Sequence, residues 1–239
     1  GLRQLWTSYA ESPLLDRWLE YAEVYEAHFP KPDPSAAYTM LEIGVQSGGS
    51  TRTWKQYYGP SLTYVGVDIN PGSKRSHSPE EKIFIEIGSQ TNVGFLQRLC
   101  QRYGPFDMIV DDGGHTPEMI SVSVATLLPD SACLRPKGVY IVEDTHALVK
   151  WPEREMYQDI VGKAFVGMHH FWMGRSKRAR VLNWTTHIAQ MVLVDSMIVY
   201  HKIGPDHAPY TRLRRGTDKL RELTHEEAAR RTRRHSSGP

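Results

Sequence analysis

The sequence is poor in cysteine, with only Cys100 and Cys133 among its 239 residues. Two isolated thiols make neither a disulfide framework nor a thiolate metal site, so two reduced, packed side chains in a reducing compartment are expected. No apolar run approaches the roughly 18 to 20 residues of a membrane span. The opening Gly1-Leu2-Arg3-Gln4 lacks the basic-then-apolar pattern of a secretory signal, although a leader removed upstream would leave no trace, and a cytoplasmic location is expected. Charge of one sign is also scarce, for the net is only +2. Residues 212–239 hold nine Lys and Arg against four Asp and Glu, which leaves the rest slightly acidic. A body that grips a nucleic-acid backbone is therefore not expected, and a membrane partner is not expected either. With 40% hydrophobic and 23% charged residues, collagenous, mucin-like and wholly disordered chains are excluded. The length suits one large domain with appendages.

What is present alternates. Thr39–Gly44, Leu62–Asp68, Lys82–Gly88, Phe106–Asp111 and Gly138–Glu143 are strand-like runs rich in Ile, Val, Tyr and Phe, separated by helical stretches near 49–58, 92–103 and 116–129. Nearly continuous apolar strands suit a parallel sheet covered on both faces, so a doubly wound α/β fold is predicted. His187–Val194 and Met197–Ile203, parted by Asp195-Ser196, read as an antiparallel hairpin closing the sheet's far edge. Ahead of the sheet, Leu14, Leu15, Trp18, Leu19, Ala22, Tyr25 and Phe29 recur at helical spacing, which predicts one helix from Ser12 to Phe29 with Pro13 in its first turn. Further helices are expected near 153–165 and, behind the capping pattern Thr224-His-Glu-Glu227, in the basic tail. The stretch 70–81 reads as a solvated connection or a lid. The expected division is an N-terminal helical segment (1–37), a Rossmann-like domain of seven strands (38–204) and a basic tail (205–239).

In such a fold, ligands sit beyond the carboxyl ends of the strands where strand order reverses. The first strand ends in Glu42-Ile-Gly44-Val-Gln46-Ser-Gly48-Gly49-Ser50, a turn that lets a ligand approach a helix N-terminus. Gln46 stands where a dinucleotide fingerprint has its second glycine, and Glu42 precedes the first, so a ligand with an ammonium group and no phosphate is favoured. The second strand ends at Asp68, at the distance from Gly44 where a carboxylate reaches ribose hydroxyls. The third ends in Gly88-Ser89-Gln90-Thr91, polar groups suited to an adenine edge. An adenosyl ligand, S-adenosylmethionine (SAM), fits this set. The motifs E-I-G-V-Q-S-G-G-S and V-G-V-D-I-N resemble those of class I SAM-dependent methyltransferases.

The fourth strand ends Asp111-Asp112-Gly-Gly-His115 and the fifth ends Glu143-Asp144-Thr-His146. Four carboxylates at the ends of neighbouring strands repel one another unless a cation sits among them. With only oxygens as charged ligands, Mg²⁺ is favoured, with Mn²⁺ or Ca²⁺ as alternatives. Asp112, Glu143 and Asp144 are the expected ligands, and Asp111 is left to face the cofactor or support the loop. His115, at the mouth of the same cleft, is the expected base. His146 is a candidate for orienting substrate, and His169-His170 for packing or for lining a substrate pocket.

The patterns D-D-G-G-H and V-E-D-T-H, the early L-L-D-R-W-L-E-Y-A-E-V-Y-E-A-H-F and the late V-D-S-M-I-V-Y-H-K resemble the metal-dependent sugar O-methyltransferases of macrolide biosynthesis, such as the mycinamicin and demethylmacrocin enzymes. Cephalosporin hydroxylase-like and rhamnosyl O-methyltransferase-like proteins share this family. The resemblance covers roughly residues 10–203. It implies a sheet of the methyltransferase type, Mg²⁺ on Asp112, Glu143 and Asp144, His115 as base, and O-methylation in natural-product biosynthesis. Ser89 departs from it where the family often has Asp, and the macrolide enzymes carry an additional N-terminal domain, which leaves assembly and macrolide specificity open. A small-molecule or glycoside acceptor and a homo-oligomer are expected. The alternatives are a catechol-type O-methyltransferase acting on a small phenol, and a non-catalytic SAM-, glycan- or RNA-binding protein. A hydroxylase is disfavoured because the cluster lacks a two-His-one-carboxylate set.

Overall fold

The computed structural model describes residues 1–150, 158–169 and 183–207, together with Leu213, Arg215 and Thr224. Gly1–His207 form one compact unit and Ala208–Pro239 a second. Through the first unit runs a seven-stranded sheet built from β1 (Thr39–Ile43), β2 (Thr63–Asp68), β3 (Ile83–Ile87), β4 (Phe106–Asp111), β5 (Leu134–Val142), β6 (Ile188–Val194) and β7 (Met197–Lys202). Their order is β3-β2-β1-β4-β5-β7-β6. The first five are parallel, and β7 runs antiparallel to both β5 and β6. This is the predicted doubly wound sheet with a C-terminal antiparallel hairpin. The order reverses between β1 and β4, so the carboxyl ends of those two strands open a crevice.

Side chains alternate across each strand and sort the core into two layers. Leu41, Ile43, Ile109, Tyr140 and Val142 face one apolar cluster, which also takes in Leu96 and Leu99 of α4 (Val93–Tyr103) and Ile120 and Val124 of α5 (Pro117–Leu127). Met40, Met108, Val110, Val139 and Ile141 face the other, with Leu2 and Trp6 of α1 (Leu2–Thr7), Tyr25 of α2 (Tyr21–His28) and Trp54 of α3 (Gly49–Tyr58). The helix starts follow their caps: the Asn92 side chain accepts from the Phe95 amide and that of Thr116 from the Met119 amide. A last short helix, α6 (Lys163–Met168), follows a wide turn at Gln158–Gly162.

The N-terminal expectation fails. In place of one helix over Ser12–Phe29 there is α1, an irregular stretch, and then α2. Leu14 and Trp18, which the helical pattern counted as inward, are 68% and 59% exposed, whereas the Arg17 side chain is 5% exposed. The stretch lies with its backbone against Gly49, where an added Cβ would stand 2.3 Å from the Leu14 carbonyl oxygen. Close backbone approach and burial of a cation thus override apolar periodicity here. Residues 70–81 form two short 3-10 turns tied to the glycine loop, for the Ser73 hydroxyl donates to the Gln46 carbonyl at 3.1 Å and Arg75 to that of Ser47 at 3.1 Å. Part of the helix expected near 153–165, the one expected in the tail, and His170 lie outside the described residues.

The expectation of two reduced thiols is also overturned, because Cys100 of α4 and Cys133 before β5 form a disulfide, with their Cα atoms 4.7 Å apart. Their separation of 33 residues hid a contact that the packing of α4 beside the entry to β5 creates. Closing a loop of this length restricts the unfolded chain and stabilises the fold by about 3 to 4 kcal/mol in the chain-entropy picture. Cys100→Ser or strong reductant should therefore lower the thermal midpoint by several degrees. An unchanged midpoint after complete reduction would show that the bond adds nothing.

Candidate active site

The same alternation that builds the core assembles the site. Glu42 follows Met40 on the α2 side of β1, Asp112 continues the row of Met108 and Val110 beyond β4, and Glu143 continues that of Val139 and Ile141 beyond β5. Three carboxylates from three adjacent strands therefore face one way. Asp111 has the opposite parity, and beneath the sheet it accepts hydrogen bonds from Ser123, from Tyr140 at 2.8 Å and from the Gln90 amide at 3.0 Å.

Into the row of three carboxylates projects Arg17. Its Nη1 donates to Asp112 Oδ2 at 2.6 Å and to Glu143 Oε2 at 2.7 Å, and its Nη2 pairs with Glu42. Tyr25 donates to the other oxygen of Glu143, Tyr64 and Ser50 donate to Glu42, and Tyr21 donates to Asp144 at 2.6 Å. Burial pushes the Asp112 and Glu143 carboxyls up to about 7 even though Arg17 pulls both down. The Arg17 guanidinium is held well above its ordinary value, because the attraction of Glu143, Asp112 and Glu42 outweighs desolvation. The sequence argument required a cation among these acids, and the side chain that meets the requirement is Arg17.

His115 Nε2 stands 3.7 Å from Asp112 Oδ1 and 3.8 Å from Asp144 Oδ2, too far for a hydrogen bond to either. One ligand atom each from Asp112, His115 and Asp144 lie within 4.8 Å of one another. This oxygen-dominated set fits a hard divalent cation. Glu143 faces the same point but spends its two oxygens on Arg17 and Tyr25. Of the six described residues other than glycine that take positive φ, three stand in the loops after β1, β4 and β5: Gln46 (48°), His115 (53°) and Asp144 (53°). Backbone strain of this kind gathers where side chains must be held for function.

Asp112 is shared with a cavity of about 180 Å³ lined by Gly44, Asp68, Gly88, Ser89, Gln90, Gly113 and Met119, among others. Gly44, Asp68, Ser89 and Gln90 thus stand where the sequence put them. Asp68 Oδ2 accepts the Val45 and Gln46 amides at 3.0 and 2.7 Å, and Gln90 Oε1 accepts the Gly114 amide at 2.8 Å, so both side chains also brace the loops. Glu42, Gly48, Ser50 and Asp111 lie outside this lining. Glu42 and Ser50 bond each other in the carboxylate row, Asp111 is buried beneath the sheet, and Gly48 (φ 94°) starts α3. His146 bonds Ser196 of the hairpin turn, and His169 bonds the Phe165 carbonyl at 2.7 Å.

No family model matches the chain. Among curated proteins it is 36% identical over 135 residues to demethylmacrocin O-methyltransferase of Streptomyces fradiae, a match covering 54% of this chain and 32% of that one. It is 35% identical over 146 residues to 8-demethyl-8-alpha-L-rhamnosyl tetracenomycin-C 2'-O-methyltransferase of Streptomyces olivaceus, over 57% and 36% of the two chains. Its curated relatives are sugar O-methyltransferases. The resemblance read from the motifs is thereby borne out, and the matched part of the chain spans about a third of those relatives' length. Among solved structures, the MycE methyltransferase of the mycinamycin pathway in complex with Mg and SAH superposes with a TM-score of 0.72 at 24% identity, over 86% of this chain and 55% of that one. The fold is that of a methyltransferase.

Sequence reasoning missed Arg17, Tyr21, Tyr25 and Tyr64. A signal existed for the first: between Glu11 and Phe29, a segment with five acids, Arg17 is the one Lys or Arg. The glycine loop gives a direct check. Gly44 (φ 94°) and Gly59 (φ 81°) share a backbone region hostile to side chains, but an added Cβ meets the Asp112 carbonyl at 1.9 Å at Gly44 and nothing within 4 Å at Gly59. Gly59→Ala should cost about 1 to 3 kcal/mol for the backbone alone, since its φ of 81° and ψ of −173° lie in a region almost confined to glycine, and Gly44→Ala clearly more in denaturant unfolding. Equal losses would mean that the two loops are not in close contact.

Proposed function

We propose that this chain carries O-methyl transfer from SAM to a hydroxyl of a sugar or glycosylated natural product, assisted by a divalent cation, Mg²⁺ in the first place. The supporting observation is that Asp112 belongs both to the cavity ending at Asp68 and to the Asp112–His115–Asp144 cluster. Donor and acceptor then meet across a single side chain. SAM would lie with its adenosyl part among Asp68, Ser89, Gln90 and Met119, where Asp68 Oδ1, which accepts only the Asn70 amide, keeps a lone pair for a ribose hydroxyl. The domain that does this is the sheet with its flanking helices, residues 38–204.

An aliphatic hydroxyl holds its proton too tightly to attack at neutral pH. A divalent ion on Asp112 and Asp144, with Glu143 joining them, would supply positive charge that makes negative charge on the acceptor oxygen less costly. His115, unbonded to either aspartate, takes the proton on Nε2. A bond forms between that oxygen and the methyl carbon, the bond from methyl to sulfonium sulfur breaks, and S-adenosylhomocysteine leaves. The rigid strand ends hold the partners in line. Tyr21 connects the cluster to a second cavity of about 430 Å³, walled by Trp18, Val24, His146, Val194 and Ser196, among others. The exposed Trp18 ring offers the flat face on which sugars pack, and His146 and Asp195 offer polar contacts to hydroxyls. This cavity is the acceptor's entrance in the proposal.

Among the described residues no helix is long and apolar enough to cross a membrane. A cytoplasmic setting is part of the proposal, with the Cys100–Cys133 bond shielded by burial to 2% and 0% exposure. A homo-oligomer without nucleic-acid or membrane partners completes it. Purified protein with SAM, Mg²⁺ and a panel of rhamnosides and related glycosides should transfer methyl groups, and EDTA should stop it. His115→Ala should lower turnover by about 10² to 10⁴-fold and leave SAM affinity unchanged. Full activity in metal-free protein would remove the cation from the account, and an unchanged rate in His115→Ala would remove the base.

A further inference from the structure

The deepest unexplained feature of the site is that a permanently charged side chain sits in it. Arg17 is buried, comes from an irregular segment outside the sheet, and has its two terminal nitrogens on three carboxylates contributed by β1 and the loops after β4 and β5. Two of those acceptors, Asp112 and Glu143, are also expected cation ligands. Arg17 takes Asp112 Oδ2 and Glu143 Oε2, and Tyr25 takes the other oxygen of Glu143, so Asp112 Oδ1, which faces His115, is the oxygen Arg17 leaves open and a divalent ion that engages both carboxylates must share or displace the Arg17 contacts.

We propose that Arg17 is the built-in counter-cation of this cluster: it holds Asp112 and Glu143 converged when no divalent ion is bound, and it competes with that ion for them. The inference rests on the metal-assisted reading above. Four carboxylates, those of Glu42, Asp112, Glu143 and Asp144, crowd the strand ends, and unpaired they would repel one another and strain the loops carrying Asp144 and His115 at positive φ. Arg17 meets that need without occupying Asp144, which is bonded to Tyr21, and Glu42 is a partner it can keep once the other two are taken. Glu42 has a further reason to stay with Arg17, since Ser50 and Tyr64 both donate to its second oxygen and hold the carboxylate in place.

The test is Mn²⁺ binding to the full chain without SAM, followed by electron paramagnetic resonance, in the wild type, Arg17→Lys and Arg17→Met. Methionine keeps much of the length and removes the charge. Lysine keeps the charge on one compact group that cannot bridge three carboxylates. Affinity should rise in the order Arg, Lys, Met, by about tenfold or more between the ends, since breaking a buried ion pair is strongly felt. The thermal midpoint of Arg17→Met without metal should fall, and added Mn²⁺ should raise it more than in the wild type. Should Arg17→Met not fold without metal, Arg17→Lys carries the comparison. Equal affinity in all three, or weaker binding in Arg17→Met, overturns the proposal alone. Unchanged Mn²⁺ affinity with loss of SAM binding makes Arg17 a ligand contact and overturns it too. No Mn²⁺ bound by any of the three overturns it together with the metal-assisted reading.

Discussion

The ion cluster around Arg17 is the constraint on which the arrangement of the crevice depends. Buried charge is costly unless paired, and removing one partner of a buried pair costs about 3 to 5 kcal/mol, more than most single apolar contacts return. That cost explains a segment that breaks local rules. Residues 8–20 leave Leu14 and Trp18 in solvent and abandon helical geometry, and in return Arg17 reaches the strand ends. The same contacts tie α2 down through Tyr21 and Tyr25, so the N-terminal layer, the sheet and the loops after β4 and β5 are held at one point.

Around that point, parity does the sorting. Glu42, Asp112 and Glu143 fall on the α2 side because the strands carrying them are adjacent, parallel and in register, with Glu42 opposite Val110 and Val110 opposite Ile141. Asp111, one residue away from Asp112, is sent to the other face, where Ser123, Tyr140 and Gln90 enclose it. One Asp-Asp pair thereby serves two ends: the first braces the loop through Gln90, and the second stands between the cavity and the carboxylate cluster.

The sheet was legible because continuous runs such as Phe106–Asp111 leave few other readings, and the glycine turn and the two acidic loops were legible because they end those runs. The N-terminal segment was not. Its apolar spacing is helical from Leu14 onward, and only the position of Glu42, Asp112 and Glu143 in space shows why Arg17 and not Trp18 is inside. Glu42, Gly48 and Ser50 belong to one motif with Gly44, but alternation along β1 turns Glu42 to the face opposite Ile43. The cysteine pair was misread for a different reason: nothing local in either residue reports that α4 ends beside the entry to β5. Tyr25 falls in the apolar stripe and is core by its ring, yet its hydroxyl, and that of Tyr21 outside the stripe, serve the acids.

In the proposed function a methyl donor and a divalent ion would lie on either side of Asp112. The most direct measurement is a crystal structure of the full chain grown with Mn²⁺ and S-adenosylhomocysteine, with anomalous scattering used to locate the metal. The expected result is a peak within bonding distance of Asp112 and Asp144, with the nucleoside beside Asp68. A peak elsewhere, or none, with Arg17 still bridging Asp112 and Glu143 beside bound S-adenosylhomocysteine, would contradict it.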